Sequence, residues 1–200
     1  MRARKDFMRT ANIERNTKET KIKLTINLDG TGKCNIRTGI SFFDHMLTQI
    51  STHGLIDIDL KADGDIEVDS HHTIEDVGIC LGLALKDALG DKKGITRYGK
   101  SLIPMDEVLV LCGIDISGRP FAGIDAPFTV ANIGNFETEM VKEFFIALAN
   151  NAGISIHTIM LREGNNHHMA EAIFKAFARA LMQAVSINDR FGLPTSKGML

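Results

Sequence analysis

Residues 69–76 read DSHHTIED and residues 165–172 read NNHHMAEA. Each stretch has two adjacent histidines and then a carboxylate three positions after the second: His71, His72 and Glu75, then His167, His168 and Glu171. Both stand where helical spacing begins. A helix turns by about 100° per residue, so the first histidine shares a face with the glutamate at i, i+4, and the second lies beside it at i, i+3. Adjacent imidazoles point apart, so one such turn could offer ligands to two different metal ions. Imidazole with carboxylate suits manganese, iron or zinc, and the absence of cysteine from the set disfavours a structural zinc. A single H-H-x-x-E turn is equally well explained as an exposed helix start whose acid complements the helix dipole. Two copies at matching places favour the metal.

The remaining chemistry-bearing residues are weaker signals. His45 lies in an apolar helical stretch, FFDHML, where a lone histidine is more often packed than ligating. His53 ends the same stretch and suits a C-terminal capping cation. His157 shares a strand with Ile154, Ile156 and Ile159 and reads as a packing or surface residue. Arg97, Arg119, Lys175 and Lys197 have the chemistry to hold phosphate, arginine through two parallel bonds and lysine as a point charge. Residue type alone reads each of them as a solvated charge. GTGK at residues 30–33 lacks the G-x-x-x-x-G-K-[ST] phosphate-loop pattern and sits between strands, which predicts a hairpin turn.

These residues are set in a repeat. Alternation predicts a strand from Thr20 to Leu28, after which Asp29-Gly30-Thr31-Gly32 turns the chain toward a second strand. Ser41 to His53 predicts a helix capped by Ser41 and stopped by Gly54. LIDIDLKADGDIEVD predicts two strands around Ala62-Asp63-Gly64, and Thr73 to Leu89 a helix closed by Gly90. The second half repeats the order. EVLVLCGIDISGRPFAGID predicts a strand, a turn at Ser117-Gly118 and a return strand, then come the helix ETEMVKEFFIALANNAG, the strand ISIHTIML and the helix MAEAIFKAFARALMQAV. His71 and His167 stand 96 residues apart, and Gly30 and Gly118 stand 88 apart. Setting Gly54 on Gly153, with one inserted residue, puts His45 opposite Glu143. The expectation is a duplicated α+β unit, residues 1–92 and 93–200, forming one compact catalytic body.

Composition bounds the function. A chain of 200 residues buries one sizeable core, and 44% hydrophobic with 24% charged residues is ordinary for a globular protein. The formal charge of -2 argues against a nucleic-acid or anionic-membrane partner. No apolar run approaches the ~20 residues that span a bilayer, and the basic start MRARKDFMRTANIERN lacks the apolar core of a secretory signal. Cys34, Cys80 and Cys112 are odd in number and show no C-x-x-C spacing, which predicts reduced, mostly buried thiols and a cytoplasmic setting. Trp is absent and Tyr occurs once, so base-stacking platforms are not expected.

The stretches RNTKET, LDGTGKCNIRTGISFFDHML, THGLIDIDLKADGDIEVDSHHTIED, ISGRPF, NNHHMAEAIFKAFARAL and PTSKG together resemble the imidazoleglycerol-phosphate dehydratase family of histidine biosynthesis, from about residue 12 to 199. The resemblance implies two similar halves, each a four-stranded sheet with helices, with the helices packed between the sheets in the ribosomal protein S5 domain 2-like manner. It implies trimers assembled into a 24-subunit shell, with two Mn(2+) per subunit at subunit boundaries. By motif, His45, His71, His72, Glu75, His167, His168 and Glu171 resemble the metal ligands. The eighth ligand position falls on Glu143, where many relatives have histidine. The substrate set carried over is Glu19, His45, His53, His71, His72, Glu75, Arg97, Arg119, His167, Lys175, Ser196 and Lys197, with catalytic roles on Glu19, His71 and Glu171. The implied reaction is a lyase dehydration of a phosphorylated imidazole: the metal-stabilised imidazolate expels hydroxide while Glu19 moves protons at the side-chain carbons. A dinuclear metallohydrolase of a phosphorylated metabolite would use the same residue types, and phosphate release distinguishes it. The family also occurs fused to a histidinol-phosphatase domain, and a monofunctional enzyme is the expectation for this chain.

Overall fold

The computed structural model describes residues 8–188, 190 and 192–198. The segment 1–7, which carries part of the basic start, lies outside them. Fourteen elements follow in order: β1 (Thr10–Asn16), β2 (Thr20–Asn27), β3 (Cys34–Arg37), α1 (Ser41–Gly54), β4 (Asp57–Gly64), α2 (His71–Leu89), β5 (Tyr98–Met105), β6 (Val108–Asp115), β7 (Phe121–Ile124), β8 (Asn132–Ile133), β9 (Phe136–Glu137), α3 (Met140–Ala152), β10 (Ser155–Arg162) and α4 (Asn166–Val185). Two four-stranded sheets form with identical topology, β1-β2-β4-β3 and β5-β6-β10-β7. In each, the last-made central strand runs antiparallel to one neighbour and parallel to the other, as β4 does with β2 and β3 and β10 with β6 and β7. The predicted duplication is therefore present in the backbone, and among the described residues β8 and β9 form a short extra hairpin that the first half lacks.

The helices lie between the sheets. On β2 the inward residues Ile22, Leu24 and Ile26 are buried, as are Val110, Cys112 and Ile114 on β6. α2 covers the first sheet and α4 the second, while α1 packs on α4 and α3 on α2. The seam between helices is filled by phenylalanines: Phe144 stacks on Phe174 with ring centres 5.4 Å apart, and Phe145 packs edge-on against Phe177 at 5.1 Å. Two glycines inside α2 are explained here. A Cβ on Gly78 would come within 2.8 Å of Phe144 O, and one on Gly82 within 2.6 Å of Leu148 O. Only hydrogen at those positions lets α2 and α3 approach this closely. The same contacts fix their direction: Gly78 faces Phe144 and Gly82 faces Leu148, so the two helices run the same way.

The sequence expectations for single elements needed several corrections. β1 and β5 are strands that alternation had not marked. Residues 65–69 do not form a second strand after β4, because Val68 N–H turns back onto Asp65 O and the chain enters α2 directly. β7 is not a hairpin return of β6; it pairs in parallel with β10, on the far side of it. Likewise β2 and β3 are not neighbours, so GTGK is a crossover loop. Asp57 pins that loop by accepting N–H groups from Thr31 at 2.8 Å and Lys33 at 2.9 Å. α1 begins one residue after Ile40 with no side-chain cap, so Ser41 is the first helical residue, not the cap. Leu55, not Gly54, takes the left-handed cap conformation at φ 54°. α2 starts two residues earlier than expected and includes both histidines.

Asp57 makes the fold sensitive to acid. The backbone N–H groups of Thr31 and Lys33 hold its carboxyl below the usual range near 3.8, against a smaller upward push from burial. A carboxyl depressed on folding contributes stability that is complete above its unfolded pKa and is lost as pH falls below it. The protein is expected to lose stability as pH drops below about 4, and Asp57→Asn should flatten that limb in acid-unfolding curves read by circular dichroism.

Candidate metal centre and active site

Every expected metal ligand lies on one of the four helix starts. α1 and α4 run in the same direction, because His45 meets Glu171 near their beginnings and Gly54 meets Ala178 further on. α2 and α3 are likewise parallel. The caps align the two halves without any insertion. His45 stands ten residues before Leu55, and Glu143 ten residues before Gly153, which is left-handed at φ 66°. Glu143 is therefore the structural counterpart of His45.

One trio is already assembled. His45 Nε2 lies 3.5 Å and His167 Nε2 3.3 Å from Glu171 Oε2, and the three ligand atoms all lie within 4.8 Å of one another. Phe42 seats the His167 ring edge-on at 5.0 Å. Glu171 Oε1 takes an ion pair from Lys175 at 2.7 Å. Burial pushes the Glu171 carboxyl upward, and Lys175 and His45 outweigh it, so the group is held below its ordinary value. An ionised carboxylate with two open imidazole nitrogens is the donor set a divalent ion such as manganese, iron or zinc takes. Two of the three donors come from α4 and one from α1. Only the packing of those helices joins them.

The adjacent histidines do diverge. His167 and His168 have ring planes 87° apart, and His71 and His72 80° apart. His168 turns away from Glu171 toward the β5–β6 turn, where Asp106, Glu107 and His168 form a second group within 4.8 Å. Two backbone N–H groups, from Asn165 and from Glu107 itself, together with His168, hold the Glu107 carboxyl down at about 2. In the first half, His72 Nδ1 meets Asp65 at 3.1 Å, which raises its pKa, and its Nε2 stands 3.9 Å from Glu19. Glu75 and Glu143 are half-buried and make no side-chain hydrogen bond or ion pair among the described residues. The first-half counterpart of the assembled trio, His71, Glu75 and Glu143, does not close to 4.8 Å among the described residues. Two carboxylates in place of a carboxylate and an imidazole repel one another when no cation lies between them.

Glu19 sits in the β1–β2 turn, where its N–H donates to Thr17 Oγ1 at 3.1 Å. The next residue, Thr20, donates its hydroxyl to Asp76 of α2 at 2.5 Å, and Arg15 pairs with the other Asp76 oxygen at 2.8 Å. The turn carrying Glu19 is thus tied to the helix carrying His72. Asp76, Asp65 and Glu107 had no sequence reading. The one readable signal was Asp69 and Asn165, each two residues before the first histidine, whose side chains accept the His71 and His167 N–H groups at 2.8 Å.

The basic residues divide by location. Lys175 belongs to the histidine end, paired with Glu171. Arg97 lies at the other end: its N–H donates to Ala184 O near the last turn of α4. Seventeen residues of helix separate Ala184 from His167, about 25 Å at 1.5 Å per residue. The Arg97 side chain grips Asp115 through Nε at 2.7 Å and Nη2 at 3.2 Å, and its Nη1 holds Pro194 O at 2.9 Å. That bond anchors the segment leading to Ser196 and Lys197, both exposed. Arg119 is exposed nearby, its carbonyl accepting from Ser155, which pairs with Asp115. His53 lies between the two ends, and burial, then Lys175 and Arg179, lower its pKa. His157 stays outside both groups and stacks on Phe121 at 5.0 Å. Cys80 and Cys112 are buried, Cys34 is exposed, and all three are free thiols.

A family model described as imidazoleglycerol-phosphate dehydratase matches residues 38–181, which include all eight helix-start ligand candidates. The chain belongs to the imidazoleglycerol-phosphate dehydratase family. The family's curated relatives span nearly all of it. The imidazoleglycerol-phosphate dehydratase of Clostridium botulinum strain Langeland is 58% identical over 95% of this chain and 97% of its own. That of Hydrogenovibrio crunogenus is 56% identical over 96% of this chain and 100% of its own. The crystal structure of the Staphylococcus aureus enzyme superposes with a TM-score of 0.82 at 39% identity, covering 90% of this chain and 99% of that one. The fold is the family fold.

Proposed function

We propose that this protein is a hydro-lyase that dehydrates imidazoleglycerol phosphate to imidazole acetol phosphate and water, in histidine biosynthesis. The observation that carries it is the His45–His167–Glu171 trio at one end of the helix layer, with Glu19 and His72 beside the counterpart site. When bound, a divalent ion, manganese in this reading, supplies Lewis acidity that favours loss of the imidazole N–H proton. His45, His167 and Glu171 would hold one ion, and His71, His72, Glu75, Glu143 and His168 would supply the remaining ligands. Glu19 would take and return protons at the side-chain carbons, a role supported by its carboxylate standing 3.9 Å from Nε2 of His72, a proposed ligand. Arg97, Arg119, Ser196 and Lys197 would hold the phosphate and so fix the reacting end.

The histidine end and the arginine end lie about 25 Å apart in one chain, too far for one small substrate to touch both. The proposed site is therefore completed by a second copy of the chain. The outer face of the second sheet supports this. Leu102, Leu111 and Ile159 lie side by side across β5, β6 and β10, all exposed, with Leu161 alongside. The register-equivalent residues of the first sheet are Glu14, Lys23 and Lys61. One half thus keeps a solvated face and the other offers an apolar one for self-association. The trimers and 24-subunit shell implied by the resemblance belong to this reading. Leu111→Lys is expected to reduce the assembly mass in light scattering and to lower turnover with it; an intact assembly would show that this face is not a contact.

The deciding experiment is incubation of the manganese-loaded protein with imidazoleglycerol phosphate. A new ketone without inorganic phosphate is the expected product, and release of phosphate would instead support hydrolysis.

A further inference from the structure

We propose that Asp65 and Glu107 are positioning residues, each holding the Nδ1–H of the second histidine in its H-H-x-x-E motif and so leaving Nε2 as the nitrogen open to a divalent cation. The inference rests on the metal reading of the preceding section and extends it to two carboxylates outside the ligand set.

The geometry is the same twice. His72 Nδ1 lies 3.2 and 3.1 Å from the two oxygens of Asp65, and His168 Nδ1 lies 3.2 and 3.1 Å from the two oxygens of Glu107. The carboxylates are not repeat-equivalent. β1 and β2 match β5 and β6 at a spacing of 88 residues, which sets Glu19, not Asp65, against Glu107. β4 matches β10 at a spacing of 98 as far as Met160 and of 99 beyond the bulge there, which sets Asp65 against Gly164, a residue with no carboxylate. Duplication alone therefore does not account for the shared arrangement. Two different carboxylates, one following β4 and one in the β5–β6 turn, reach the same ring nitrogen.

The first histidine of each motif lacks such a partner among the described residues: His167 faces Glu171, and no carboxylate meets its Nδ1. The two histidines of a pair are thus treated differently. A neutral imidazole has one N–H, and the hydrogen bond at one nitrogen decides which tautomer presents its lone pair at the other. A carboxylate at Nδ1 also raises the basicity of Nε2 and fixes the ring's rotation, the usual support for a ligating histidine. The opposite nitrogens remain open. His72 Nε2 stands 3.9 Å from Glu19, and His168 Nε2 3.9 Å from Asp106, both beyond hydrogen-bond length. The Glu107 carboxylate and the Asp65 main chain are themselves held. Glu107 Oε1 accepts the N–H of Asn165, the residue capping α4, at 2.7 Å, and the Asp65 N–H donates to Glu19 O at 3.1 Å.

The test uses Asp65→Asn and Glu107→Gln, which keep an acceptor oxygen but remove the charge. Metal-free wild type and variants are titrated with Mn(2+) without substrate, the free ion being read by electron paramagnetic resonance. Histidine 15N spectra of the metal-free proteins report the tautomers. Each variant should bind manganese about 10- to 100-fold more weakly, show a mixed tautomer at the histidine concerned, and melt near the wild-type temperature when metal-free. Glu107→Asp, which restores the charge, should recover part of the affinity. Affinities within twofold of wild type with an unchanged tautomer would overturn the inference. If wild type itself took up no divalent ion, the metal reading would fall, and the 15N spectra would still decide whether these carboxylates set the tautomers.

Discussion

Glu171→Ala is expected to lower turnover of imidazoleglycerol phosphate by about 10³-fold or more, the scale on which single preorganised charged groups act in active sites. Three side chains converge on this carboxylate: His45 at 3.5 Å, His167 at 3.3 Å and Lys175 at 2.7 Å. Its removal takes the common partner from two proposed ligands and leaves an ammonium whose side chain is only 18% exposed without its counter-charge. Removing one member of a mostly buried pair costs about 3 kcal/mol, so the variant should also melt several degrees lower. Glu171→Gln separates the two effects. It retains an acceptor for Lys175 and should keep most of the stability while losing the turnover. A folded Gln variant with near wild-type activity would remove Glu171 from the site.

Glu19→Gln is expected to reduce kcat by about 10²- to 10⁴-fold, the range for loss of a general acid or base. The amide has nearly the same shape but cannot exchange a proton at neutral pH. Glu19 is exposed and its turn is held by the Thr17 and Thr20–Asp76 bonds, none of which uses its carboxylate. Metal content and melting temperature should therefore match wild type. A Glu19→Gln enzyme with normal turnover and full metal content would rule out its proton-transfer role.

The two predictions concern residues of different legibility. Glu171 was visible as the end of an H-H-x-x-E turn, because i, i+3 and i, i+4 neighbours on a helix depend on local geometry alone. Glu19 carried no pattern of its own, and only the resemblance of RNTKET singled it out. Its place beside His72 depends on a hydroxyl from one strand meeting a carboxylate of α2, Thr20 to Asp76, 56 residues away. Glu107 and Asp65 were invisible for the same reason, since a lone acid in a turn reads as solvated charge. The structure adds a second task for Arg97. Its guanidinium is engaged with Asp115 and the Pro194 carbonyl, so beside its proposed phosphate contact it anchors the tail that bears Ser196 and Lys197.

Strand alternation located β2, β4 and β10 but could not tell which strand lies beside which. Hairpins were expected at GTGK and at Ser117-Gly118, whereas β3 and β7 cross over to pair in parallel with β4 and β10. Pairing order is decided by which faces the helices must cover, a property of the whole core that no short window contains.

By itself the sequence determined the duplicated α+β plan and the two helix turns bearing His71, His72, Glu75, His167, His168 and Glu171. Local periodicity and fixed helical spacing suffice for both. The tertiary structure decided how those turns are used. Parallel packing of α1 on α4 brought His45 to His167 and Glu171, and sheet order delivered Asp65 and Glu107 to the second histidines. The same packing set Arg97 and Arg119 at the far end of α4, because a helix of 20 residues keeps its two ends apart.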